Sequence, residues 1–252
     1  VSLLRTEVTD AVARITLDDP DRRNALSLEL VEELDRVLTW LESDDDARAV
    51  VVTGAGPAFC AGADLTQLGD ARDEGLRRIY EGFLRLARSP LPTIAAVNGP
   101  AVGAGMNLAL ACDVRLAGRS ARFDTRFVDL GIHPGGGHTW MLRRAVGPQA
   151  AAAMVVFGER VEGPEAERIG LVWRCVADDE LLDEAQRMAA RAASGPPELV
   201  REVRSTLARM ATVATHDEAV EIELAAQVAS MDAPAFAERL AAMRRQVSRS
   251  TP

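Results

Sequence analysis

The chain has 252 residues and a formal net charge of -9, with 48% hydrophobic and 27% charged residues. That length supplies an ample core for one large domain, or for a domain with a smaller appendage. The acidic balance argues against a nucleic-acid or anionic-membrane surface, although a local arginine cluster could still hold an anionic small molecule. Cys60, Cys112 and Cys175 are few, odd in number and widely spaced. With no signal-like N-terminus they read as reduced thiols of a cytoplasmic protein. No run approaches the roughly twenty apolar residues of a membrane span.

In chain order, Ala13, Ile15 and Leu17 alternate with Arg14 and Thr16 as a half-buried strand that ends in the turn Asp18-Asp19-Pro20-Asp21. Ser27 can cap a helix whose apolar positions Leu30, Leu34, Val37, Leu38 and Leu41 recur at helical spacing. The acidic turn Asp44-Asp45-Asp46 precedes Ala49-Val50-Val51-Val52, a continuous apolar strand of the kind buried on both faces. Leu76, Ile79, Tyr80, Phe83 and Leu84 predict a second helix. Thr93–Val97 reads as a strand, Val102–Cys112 as a helix and Val114–Ala117 as a further strand. Strand, loop and helix thus alternate repeatedly, which predicts α/β organisation with mostly parallel strands. Residues 178–194, 197–211 and 216–231 read as helices, and a last helix follows Asp232-Ala233-Pro234. Gly195-Pro196-Pro197 is the clearest punctuation, so the expected division is an α/β core over 1–195 and a helical region over 196–252. Small faces such as Ala219, Ala225, Ala226 and Ala229 could pack on a neighbouring chain or back onto the core.

Two loops are rich in small residues: Phe59-Cys60-Ala61-Gly62-Ala63-Asp64-Leu65 and Asn98-Gly99-Pro100-Ala101-Val102-Gly103-Ala104-Gly105-Met106-Asn107. Small residues let backbone approach a ligand closely, and a loop that opens a helix has N–H groups free to face developing negative charge. Gly103-Ala104-Gly105 lacks the third glycine of a dinucleotide fingerprint, since Leu108 occupies its place. No Gly-x-Ser-x-Gly elbow or P-loop occurs.

With Asp21-Arg22-Arg23-Asn24-Ala25-Leu26, Val51-Val52-Thr53-Gly54, Ala96-Val97-Asn98-Gly99, Cys112-Asp113, Pro134-Gly135-Gly136-Gly137 and Arg144-Ala145-Val146-Gly147, these loops resemble the crotonase (enoyl-CoA hydratase/isomerase) superfamily. The resemblance runs over nearly the whole chain. It implies a spiral of repeated ββα units followed by C-terminal helices that build a homotrimer or a dimer of trimers. It also implies an acyl-CoA or enoyl-CoA thioester substrate and no separate cofactor, coenzyme A being part of the substrate. The implied chemistry stabilises a thioester enolate between two backbone N–H groups, which fall at Ala63 and Ala104. Arg22 and Arg23 match positions where CoA phosphates and adenine dock, with Ala61, Ala63, Asp64 and Leu65 lining the nucleotide end. Arginine suits phosphate through its charge and planar fork.

A hydratase of this family adds two glutamates for acid/base work. The matching positions here hold Asn107, whose amide exchanges no proton near neutrality, and Phe127, which has no polar group. Three residues could substitute. Asp129 would share the direction of Phe127 only in an extended segment. His133 and His138 flank a glycine loop that some relatives use to present a catalytic aspartate. Each has a plainer reading: Asp129 as an ion-paired or capping residue, His133 as a loop hydrogen-bonder, His138 as a helix-start residue. No acidic or thiol partner completes a metal set around the histidines, and Cys60 reads as a packing thiol. Three functions remain open: an enolate-stabilising enzyme with unusual proton transfer, a non-catalytic acyl-CoA binder, and a hydratase with an unrecognised arrangement.

Overall fold

The computed structural model describes residues 2–43, 46–67 and 72–250. By backbone contacts the chain divides into two compact units, Val1–Ala193 and Ser194–Pro252.

In the first unit, strands β1 (Leu4–Thr9) and β2 (Val12–Leu17) form an antiparallel hairpin. Helix α1 (Leu28–Ser43) begins where the Ser27 hydroxyl accepts a hydrogen bond from the Leu30 N–H at 3.2 Å, the cap anticipated from the sequence. Then come β3 (Ala49–Gly54), α2 (Arg72–Arg88), β4 (Thr93–Val97), β5 (Pro100–Val102) and α3 (Ala104–Leu110). Strands β6 (Val114–Gly118) and β7 (Arg122–Asp124) precede α4 (His138–Val155), which is broken at Gly147-Pro148. Strand β8 (Val161–Glu162), α5 (Gly163–Arg168), β9 (Arg174–Val176) and α6 (Leu181–Ala193) complete this unit.

The main sheet has the order β1-β2-β3-β4-β6-β9, parallel throughout except for the first pair. Its two faces explain the continuous apolar strands. Val50, Val52, Ala95 and Val97 point into the larger core, against α1 and α2 residues such as Leu34, Leu38, Ile79 and Phe83. Their neighbours Val51, Ile94 and Ala96 point the other way, onto Leu181, Ala185 and Ala189 of α6. A parallel sheet covered on both faces favours near-continuous apolar runs over strict alternation. A second sheet has the order β5-β7-β8, and its strand β5 leads into the loop that opens α3.

The reading of Val102–Cys112 as one helix is corrected in one respect. Pro100–Val102 is a strand paired in parallel with Arg122–Asp124, and the helix starts only at Ala104. The β5–β7 pairing is with a strand distant in sequence, so local apolar periodicity could not reveal it.

The second unit contains α7 (Pro197–Met210), α8 (His216–Asp232) and α9 (Pro234–Ser250). Thr215 caps α8, its hydroxyl accepting from the Glu218 N–H at 3.2 Å.

Candidate active site

The two small-residue loops meet backbone to backbone. The Val102 N–H donates to the Cys60 carbonyl at 3.0 Å, and Cys60 and Ala101 form an isolated parallel bridge. A Cβ on Gly105 would lie 2.2 Å from the Cys60 carbonyl oxygen, so only glycine permits this approach. Gly62 has φ 109°, and a Cβ there would lie 2.9 Å from the Val102 carbonyl oxygen. The first loop is held from its other side by Asn24, which is fully buried. The Asn24 amide donates to the Ala58 carbonyl at 2.8 Å and the Ala55 carbonyl at 3.0 Å, and its oxygen accepts from the Asp19 N–H. Asn24 lay in a motif that pointed to coenzyme A. Its own work is to clamp the turn at Arg22 and Arg23 onto the loop.

These loops line a cavity of about 690 Å³ in the first unit. Ala63 and Ala104 are both at its wall. The groups on either side of Ala63 are used in its bridge to Leu26: the Gly62 carbonyl accepts from the Leu26 N–H at 2.7 Å, and the Asp64 N–H donates to the Leu26 carbonyl at 2.9 Å. Among the described residues, the N–H groups of Ala63 and Ala104 have no acceptor. For Ala104 this follows from its place at the first position of α3, whose leading N–H groups have no intrahelical partner.

Leu76, Ile79, Phe127, Leu130 and Ile132 form the apolar wall; Tyr80, Asn107, Arg126 and His133 are among its polar members. No carboxylate lines the cavity among the described residues. Asn107 is buried, and both ends of its amide are engaged. Its nitrogen donates to the Gly135 carbonyl at 3.0 Å and its oxygen lies 2.6 Å from His138 Nδ1. His138 opens α4, as the sequence allowed, but its imidazole is turned inward and buried behind the wall. Its ring meets the Phe127 ring edge-on, with centroids 4.9 Å apart. Burial pushes the imidazole down to about 4 from the ordinary 6.5, so it is neutral near pH 7.

Asp129 does not line the cavity. Residues 126–132 are not extended: the Leu130 N–H donates to the Arg126 and Phe127 carbonyls, and the Ile132 N–H returns to Phe127. This tight turn directs Phe127 to the cavity and leaves Asp129 exposed, 3.9 Å from Arg160. The turn starts at Arg126, which adopts the left-handed φ of 54°. That conformation disfavours a non-glycine residue. The buried Asp124 carboxylate holds the Arg126 guanidinium at 2.6 Å and is also ion-paired to Arg160 at 3.2 Å. His133 is at the cavity wall, exposed, with Nδ1 2.7 Å from the Pro134 carbonyl oxygen.

Of the positions matched to coenzyme A, Ala61 and Ala63 line the cavity and Arg22, Arg23 and Asp64 do not. Arg22 is ion-paired to Asp19 at 2.7 Å and faces Asp64 at 3.5 Å, while Arg23 is exposed in a left-handed turn. The Leu65 side chain lies outside the described residues. Cys60 is fully buried, and desolvation pushes its thiol up to about 12, which keeps it protonated.

Residues 7–244 match the family model described as enoyl-CoA hydratase/isomerase. The chain belongs to this family. Within it, the chain is 50% identical over 240 residues to a probable enoyl-CoA hydratase of Mycobacterium tuberculosis, covering 92% of this chain and 93% of the relative. It is 38% identical over 204 residues to the 1,2-epoxyphenylacetyl-CoA isomerase of Escherichia coli, covering 78% of each. The solved structure of an enoyl-CoA hydratase from Bacillus anthracis matches with a TM-score of 0.92 at 32% identity, over 97% of both chains. The fold is therefore the crotonase type expected of an enoyl-CoA hydratase/isomerase family member.

Proposed function

We propose that this chain is an enzyme acting on an acyl-CoA or enoyl-CoA thioester, with the carbonyl oxygen held by the Ala63 and Ala104 N–H groups. The observation that carries this reading is the pair of backbone donors without an acceptor, both at the wall of one cavity. Proton loss next to a thioester moves negative charge onto its oxygen, and preorganised donors at that point are typically the largest electrostatic contribution to such a reaction. The substrate brings its own coenzyme A, and no further cofactor is needed for proton transfer.

The reaction we favour is isomerisation, or action on a specialised acyl group, over two-glutamate hydration. Hydration requires a water activated at Cβ and a proton delivered at Cα. Phe127 and Asn107 stand where a family hydratase has those acids, and no carboxylate replaces them along the described wall. Leu76, Phe127, Leu130 and Ile132 suit an apolar acyl group and leave little to hold a water. His133 is the lining residue whose type titrates near neutrality, and it is the proposed proton carrier in preference to Asp129, which faces solvent. That no carboxylate lines the cavity among the described residues also favours a second reading, a non-catalytic acyl-CoA binder on the same fold.

Turnover of an enoyl-CoA panel, measured beside calorimetric binding, separates the two. Turnover that falls about 100-fold or more in His133→Ala supports the enzyme. Tight binding with no turnover of any substrate leaves only the binder. In Asn107→Glu/Phe127→Glu, hydration of crotonyl-CoA is expected to appear if the donors are competent and only the acids are missing. Its absence in a folded double variant counts against the donor assignment.

A further inference from the structure

The hydrogen bonds around Asn107 define a single arrangement. Its nitrogen donates to the Gly135 carbonyl, which fixes the amide orientation and makes the oxygen an acceptor. The oxygen at 2.6 Å from His138 Nδ1 therefore requires the proton on Nδ1. His138 Nε2 is then a bare lone pair, and this buried nitrogen has no hydrogen-bond partner among the described residues. On its flank, the imidazole packs edge-on against Phe127. One buried side chain thus touches both residues that stand in place of the two acids. A buried acceptor without a partner from the protein costs free energy, so the imidazole is an expensive way to fill space at the start of α4.

We infer that His138 is a positioning residue: it locks the Asn107 amide oxygen away from the cavity and braces the Phe127 ring. Asn107 then keeps one Nδ2–H uncommitted at the cavity wall, a donor for an oxygen on the acyl group. His138 itself lies outside the lining and touches no substrate. The consequence for ligand binding rests on the thioester reading above; the lock itself does not.

The test has two arms. The first uses the free protein with ¹⁵N-labelled histidine. The chain has three histidines, so a His138→Asn variant assigns the resonance. The expected result is a neutral ring protonated on Nδ1 from about pH 8 down to about pH 5, with that proton perturbed in Asn107→Ala. A ring protonated on Nε2, or an imidazolium at neutral pH, overturns the lock. The second arm measures acetoacetyl-CoA binding by calorimetry. His138→Leu should weaken it roughly 3- to 10-fold, the fold-change of about one hydrogen bond. The same substitution in an Asn107→Ala background should change nothing, and His138→Asn, which can still donate, should recover most of the loss. Equal losses in both backgrounds would mean a merely structural role and overturn the inference. If His138→Leu does not fold, the tautomer and the His138→Asn measurement still decide. Failure of the wild-type chain to bind any thioester would count against the proposed function, while the first arm alone would decide the lock.

Discussion

Asn107 and His138 sit 2.6 Å apart and both side chains are buried, which has a consequence for acid stability. The His138 pKa is about 4 in the folded chain and ordinarily 6.5. Between those values the unfolded chain binds a proton at this position and the folded chain does not. Stability from this group is therefore complete above about pH 6.5 and declines as the pH falls toward 4. At about 1.4 kcal/mol per pKa unit the full loss is on the order of 3 kcal/mol. Urea unfolding of wild type and His138→Asn near pH 7 and near pH 4.5 should show a smaller loss in the variant; an equal loss would mean that the imidazole is not held neutral. None of this was legible in the sequence. His138 read first as a helix-start residue, with proton transfer as the alternative, and its burial was hidden because that depends on contacts with Phe127 and Asn107 that are distant in the chain.

The cavity wall depends on how loop and helix join. Ala104 is the first residue of α3, a position where proline is tolerated because its N–H makes no intrahelical bond. Ala104→Pro should therefore keep the fold and remove one proposed donor. Turnover should drop about 100- to 1000-fold, with a far-UV spectrum like that of wild type. Unchanged turnover would remove Ala104 from the site. The alternation of helices and strands was legible from periodicity: α1, α2, β3 and β4 all lie where their apolar patterns placed them. Edge strand β1 was not, because Leu4 is its only buried residue and no apolar face is left to read. The 126–132 turn was equally hidden. Its course follows from the left-handed Arg126 and the buried Asp124 that holds its guanidinium, and it is this course that separates Phe127 from Asp129.

At the scale of the whole molecule, α7 carries an exposed stripe at Leu199, Val203 and Leu207, and α8 another at Val220, Leu224 and Val228. Neither helix has a buried residue. Exposed apolar stripes of this kind are normally covered, and the family resemblance implies a trimer or a dimer of trimers. Sedimentation equilibrium should give three or six times the chain mass, with Leu207→Glu/Leu224→Glu shifting it toward the monomer. A monomeric wild-type chain at micromolar concentration would overturn this expectation. No described helix is long and apolar enough to cross a membrane.

Sequence by itself determined the family, the α/β alternation and the two loops that supply Ala63 and Ala104, because glycine spacing and apolar periodicity are local signals that survive without a partner. It also led to the expectation that Asn107 and Phe127 occupy the positions of the two usual acids. Only the tertiary structure decided which candidate replacements reach the cavity. Asp129 turns to solvent, His133 stays at the wall, and His138 withdraws behind it to hold Asn107. Side-chain direction at those positions is set by a tight turn and by burial against residues distant in sequence, and neither leaves a periodic trace.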